Sequence, residues 1–228
     1  MDAASASGAG RPDERFAQAE VPQLPGAQPE GPEVLVSVIG TVNLTRGSGK
    51  IRYAIPLAIG RPSGLEPQSP VTLRAKRADG ETLQEFPVLV KLFSELSREA
   101  DREGLVDPVI PTSAQTRLLE LLVGGKVADT MKVGGSPPAV RGVQRVAAEG
   151  KNLVVSLALD GELPEGHSFS VQVSTDRGAT WQTVGVGLRE PIVPLDRAQF
   201  KDGEELQVRV LATNGLSNAI VTSEPFRV

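Results

Sequence analysis

The chain has 228 residues, with 24 basic and 28 acidic side chains, a formal charge of −4, and 39% hydrophobic but only 4% aromatic residues. That length suits two domains of about 100 residues with aliphatic cores, and the scattered charge lacks the basic block that binding nucleic acid requires. Cysteine is absent and histidine occurs once, at His167, which excludes disulfides, thiolate nucleophiles, sulfur-ligated zinc and any site needing two imidazoles.

Residues 1–32, MDAASASGAGRPDERFAQAEVPQLPGAQPEGP, are rich in Ala, Gly, Pro and Ser. They offer too little apolar surface to offset the entropy of ordering, so a disordered tail or linker is expected there. No apolar run approaches the roughly 20 residues that cross a bilayer, and the start lacks both the basic and the apolar part of a signal peptide. No membrane insertion is expected. An extracellular or cell-surface address would need a signal outside this chain.

From Glu33 the pattern turns to strands, over residues 33–135. EVLVSVIGTVNL and KIRYAIPLAI flank the turn TRGSG and are expected to pair. Pro56 lacks a ladder donor and points to an edge position or a bulge. VTLRAKRADGETLQEFPVLV contains Asp79-Gly80, a strong hairpin signal, and its alternation puts Val71, Leu73 and Ala75 on one face and Thr72, Arg74 and Lys76 on the other. LFSELSREADREG, with Leu92, Phe93, Leu96 and Ala100 at helical spacing, predicts a short helical insertion near 94–103. Phe93, Leu96, Arg98 and Arg102 form a candidate contact surface on it. QTRLLELLVGGKVADTMKV predicts a second hairpin at Gly124-Gly125.

The cluster GGSPPAV marks the domain boundary, and residues 136–228 form the second domain. Its alternating strands name the inward side chains: Leu153, Val155, Leu157 and Leu159; Phe169, Val171 and Val173; Leu206, Val208, Val210 and Ala212. The fold class expected is therefore all-β, two tandem β-sandwiches, the second immunoglobulin-like or fibronectin-III-like.

STDRGATW, Ser174 to Trp181, has the spacing Ser-x-Asp-x-Gly-x-x-Trp and resembles the Asp-box repeated in sialidases. A catalytic Asp176 is one reading. The better one is a structural turn motif in which Ser174, Asp176 and Gly178 close a hairpin and Trp181 folds into the core. Such boxes sit on several blades away from the sialidase active site. This chain has one box, one tyrosine, Tyr53, in the other domain, and a length short of six blades. The wider stretch from VQVSTDRGATWQTVGVGL to SEPFRV is similar to fibronectin-III-like modules near the C-termini of large secreted bacterial proteins. It matches at Ser174, Asp176, Gly178, Thr180, Trp181, Val208, Val210, Ala212, Gly215, Pro225, Phe226 and Val228. Arg177 and Asn214 depart from it, where glycine and aspartate are usual. The resemblance implies an accessory region and brings no catalytic residues.

The remaining candidates are weaker. His167 in DGELPEGHSF reads as a solvent-facing loop histidine, since no serine or cysteine nucleophile has a recognisable supporting motif. Asp160, Glu162 and Glu165 read as acidic turn residues, a calcium cluster being the alternative. No catalytic residue, metal site or cofactor is assigned. The expected function is a non-catalytic accessory, spacer or protein-interaction region of a larger exported bacterial protein, whose partners are other domains of the same polypeptide or another protein. The alternatives are a surface adhesin or ligand- or glycan-binding module and, behind it, a carboxylate-based hydrolase fragment.

Overall fold

The computed structural model describes residues 33–93, 101–136, 140–159 and 161–228. In chain order the first set of strands is β1 (Glu33–Asn43), β2 (Ser48–Leu57), β3 (Val71–Lys76), β4 (Thr82–Pro87), β5 (Lys91–Leu92), β6 (Glu103–Val106), β7 (Val109–Ser113), β8 (Leu118–Val123) and β9 (Lys126–Lys132). They form two antiparallel sheets. One has the order β2-β1-β6-β5 with β7 also on β1, and the other the order β4-β3-β8-β9.

β1 is long enough to serve two partners along one edge. Gly40–Asn43 pair with β6 and Glu33–Ser37 with β7, and Val38 N–H bridges the gap by donating to Pro108 O at 2.9 Å. The alternation of β1 sends Val36, Val38 and Val42 inward against Val71, Leu73, Ala75, Leu119 and Leu121. At about 25 cal/mol per Å² of apolar surface removed from water, this aliphatic layer is the main source of the sandwich's stability. Pro56 falls on β2, an edge strand. Part of that edge is shielded, since Asp129 Oδ2 accepts from Ile51 N–H at 2.8 Å, which blocks pairing with another chain.

The two outer faces differ. On the β3 side, Arg74 meets Glu85 at 2.6 Å and Glu120 at 3.4 Å, and Lys76 meets Glu120 at 3.0 Å. On the β1 side, the register pairs Leu35 with Leu57, Ser37 with Ile55 and Ile39 with Tyr53, an uncharged stripe of half-buried side chains. Tyr53 is where this stripe meets the second sandwich.

The helix expected near 94–103 is not confirmed, and at its described ends strand pairing is found instead. Leu92 pairs with Gly104, and Lys91 with Leu105, so both flanks of the predicted helix are extended. The following DPVIPTS contributes β7. β1 leaves ladder groups open along this edge, and pairing satisfies them where a lone short helix would not. Residues 94–100, including Leu96 and Arg98, lie outside the described residues, while Phe93 and Arg102 are exposed beside β5 and β6. Among the described residues the one helical element is the 3-10 turn Arg197–Gln199, capped by the Asp196 carboxylate.

The second set comprises β10 (Val140–Glu149), β11 (Asn152–Leu159), β12 (Ser168–Ser174), β13 (Gln182–Leu188), β14 (Ile192–Asp196), β15 (Glu205–Thr213), β16 (Asn218–Thr222) and β17 (Phe226–Arg227). Sheet β10-β11-β14 faces sheet β13-β12-β15-β16, with β17 on β15. This is the immunoglobulin-like two-sheet order, with β13 beside β12 as in its fibronectin-III variant. Every predicted inward residue lies in this core or packs on it. Phe169, Val171, Leu206, Val208 and Val210 are completely buried, and Leu159 lies at the margin.

Candidate functional site

The Ser-x-Asp turn is built as a closed local network. Ser174 Oγ donates to Asp176 Oδ1 at 2.7 Å and accepts from the N–H groups of Gly178 at 2.8 Å and Asp176 at 3.3 Å. Asp176 Oδ1 also accepts from Thr180 N–H at 2.8 Å, and Oδ2 from Thr180 Oγ at 2.6 Å. The carboxylate is thus committed to its own loop. These bonds, the Thr180 hydroxyl first, then the Thr180 amide and the Ser174 hydroxyl, lower its pKa from the ordinary 3.8 to about 2.

Because the folded-state pKa is the depressed one, the turn's contribution is complete above the ordinary value and is lost as pH falls from 3.8 through about 2. Amide-exchange protection at Thr180 and Gly178 is expected to vanish across that window. In an Asp176→Ala chain it should already be low at neutral pH. Protection that persists unchanged below the window would show that the carboxylate does not hold the turn.

Trp181 does not enter the core. Gln182, opposite inward-facing Val173, is the next residue, so alternation sends the indole to the outer face of the sheet. There Arg209 Cζ stands 4.2 Å from the ring centroid. Arg209 also donates to Gln172 Oε1 from Nε at 2.9 Å and from its terminal nitrogen at 2.6 Å, and Gln172 donates to Thr183 at 3.1 Å. Trp181→Ala is therefore expected to cost about 1–2 kcal/mol, the range of a partly desolvated cation–π contact and its packing. A loss above about 3 kcal/mol in urea unfolding would point to core burial instead.

The denser constellation lies between the sandwiches. Asn214, 1% exposed, uses all its polar groups. Its Oδ1 accepts from Leu216 N–H at 2.9 Å and Ser217 N–H at 2.8 Å, an Asx-type turn within its own loop. Its Nδ2 donates to Ser136 O at 3.2 Å and Gly135 O at 3.5 Å. Its N–H donates to Ser217 O, and its carbonyl accepts from Gly134 N–H at 2.8 Å. The turn aims Leu216 away from its own sandwich, and Leu216 joins the first core beside Val133.

Two close backbone approaches complete the joint. Gly187 has φ +65°, and a Cβ there would lie 1.8 Å from the Tyr53 ring. Gly166 has φ +83°, and its Cβ would lie 2.0 Å from Lys132 O. Lys132 Nζ reaches Glu165 at 2.7 Å, and its hydrogen bond and charge lower the Glu165 pKa. Asn218 Nδ2 donates to Pro56 O at 3.4 Å.

His167, expected at a solvent-facing position, is buried here. Its Nε2 lies 3.2 Å from Ser136 O and its Nδ1 3.4 Å from Glu165 O. The loop turns inward because Ser136 offers the imidazole a carbonyl partner across the joint. Glu162 is exposed, Glu165 is committed to Lys132, and Asp160 lies outside the described residues. Among the described residues no group of three or more acidic or imidazole side chains converges on one point.

Reading the sequence missed Tyr53, Gly187, Asn214 and Leu216 as a unit. An available signal was Asn214-Gly215-Leu216, where an apolar side chain at a loop tip asks for a partner outside its own sheet.

No protein-family model and no curated protein matches the chain. Among solved structures it is similar to the chicken CNTN1 FN1–FN3 domains, at 16% identity over 72% of this chain and 66% of that one, with TM-score 0.31. It is also similar to a beta-1,2-glucanase from Parabacteroides distasonis, at 12% identity over 85% of this chain, with TM-score 0.33. The chain spans 66% of the length of the first and 27% of the second. Overlap this loose adds nothing to the strand order, on which the fold assignment rests.

Proposed function

We propose that this chain is a non-catalytic accessory region of a larger exported bacterial protein, a spacer that holds neighbouring domains at a set angle or presents them to a protein partner. The observation that supports this reading is the joint. Domains joined by a flexible linker move relative to each other unless a packed interface stops them. Here Leu216 belongs to the other sandwich's core, Asn214 bonds the connecting segment, and Tyr53 sits on the bare backbone of Gly187. A joint built this way transmits orientation. The conspicuous Asp176 is bonded within its own turn, apart from the joint.

The test is orientational. Residual dipolar couplings measured on the intact chain are expected to fit one alignment tensor for both sandwiches, and independent tensors would remove the spacer reading. A hydrolase panel on the same protein addresses the enzymatic alternative, which gains if turnover appears and one point substitution abolishes it.

A further inference from the structure

We propose that Asn214 is a deamidation site guarded by the joint, so that opening the two sandwiches allows a covalent change that prevents them from closing again. Asn214-Gly215 is the one Asn-Gly pair in the sequence. The chemistry follows from that pair. The Gly215 amide nitrogen, once it loses its proton to solvent base, attacks Asn214 Cγ. A C–N bond forms, ammonia leaves, and a succinimide ring results. Water then adds to either ring carbonyl and opens it to aspartate or isoaspartate. Glycine favours the attack because no side chain crowds the nitrogen.

The closed structure blocks each step. The Gly215 N–H donates to Thr213 Oγ at 3.0 Å, and that hydroxyl donates onward to Ser217 O at 3.2 Å, so the nucleophile is occupied. Oδ1 is held by two amides and Nδ2 by two carbonyls of the connecting segment, which fixes Cγ in its Asx-turn orientation. Gly215 is packed against Val133 and Ala54 of the first sandwich, and Asn214 is 1% exposed, so neither base nor water reaches the pair. Separating the sandwiches removes Val133 and Ala54 from Gly215 and frees the connecting segment, so that its two carbonyls no longer stay fixed on Nδ2.

The product cannot restore the joint. A carboxylate at this position has no donor for Ser136 O and Gly135 O, and it places negative charge against two carbonyl oxygens in a low-dielectric site. Isoaspartate also lengthens the backbone between Thr213 and Gly215. The modification therefore records that the joint has opened and makes the opening permanent.

The experiment follows the mass gain from amide to carboxylate on the peptide containing Asn214, in the intact chain at mildly alkaline pH. Exposed Asn152, away from the joint, serves as the internal reference, and fragment ions assign the gain to Asn214 rather than Asn218. In the native chain Asn214 is expected to be the slower site despite its following glycine. In Gly187→Ala, or in the unsubstituted chain in urea below its unfolding midpoint, its rate should rise about tenfold or more, as reactions through local opening do. Asn214→Asp should give separate alignment tensors for the two sandwiches with both folds retained. The proposal is overturned if Asn214 reacts at the same rate in closed and opened chains. It is equally overturned if it stays intact in urea while the Gly215 amide exchanges freely, or if Asn214→Asp keeps the common tensor. Separate tensors in the unsubstituted chain would instead remove the spacer reading, so the two failures are distinguishable.

Discussion

Phe169→Ala is expected to lower the stability of the second sandwich by about 3–5 kcal/mol, the range of large aromatic truncations in a packed core. Phe169 is completely buried and lies on β12, paired with Leu188 of β13 on one side and Ala212 of β15 on the other. The buried side chains of the facing sheet, Leu153, Val155, Leu157, Val193 and Leu195, are too short and too firmly held in their rotamers to fill the cavity. Against a typical domain stability of about 5–15 kcal/mol, such a loss leaves a large fraction of the second sandwich unfolded. Urea unfolding should show the second sandwich melting first, and the joint should fail with it, because Asn214 and Leu216 follow directly from β15. A loss below about 1 kcal/mol would mean that the two sheets are not packed through this ring.

Gly187→Ala is the second large expectation, at about 2–5 kcal/mol. Two separate costs act. A non-glycine residue held near φ +65° costs about 1–2 kcal/mol, and a methyl placed within the Tyr53 ring overpacks the joint by about 1–3 kcal/mol more. The two can be separated. Adding Tyr53→Ala should return the overpacking part and leave the backbone part, giving a coupling of about 1–3 kcal/mol in a double-mutant cycle. Gly166→Ala makes the contrast, because its Cβ would meet the Lys132 carbonyl, and no side-chain truncation can move backbone aside. Independent behaviour of Gly187→Ala and Tyr53→Ala would mean that the two residues are not in contact in solution.

The locally encoded features were legible. Asp79-Gly80 and Gly124-Gly125 turn where expected because glycine takes a positive φ without a side-chain clash, at Gly80 in the first turn and at both residues of the second. The Ser174–Thr180 network closes within seven residues, so spacing alone predicts a turn there. Alternation assigned Leu153, Phe169, Val208 and their neighbours to the core because period 2 is intrinsic to the extended chain.

Where a second element had a vote, the local pattern was not enough. Leu92 and Phe93 carry a helical spacing, yet Gly104 and Leu105 of β6 supply ladder partners that outweigh it. Trp181 has the composition of a core anchor, but its side is set by its register one residue before Gln182, and Arg209 then holds it outside.

What the sequence determined by itself is the set of strands, the turns between them and the inward face of each, since these follow from backbone conformational preference and from the burial of side chains close together in the chain. What only the tertiary structure decided is the joint. Tyr53 and Gly187, Asn214 and Ser136, and Leu216 and Val133 lie far apart in the chain, and no local energy favours one partner over another. They meet because two finished sandwiches present matching surfaces, and that matching exists only after both have folded.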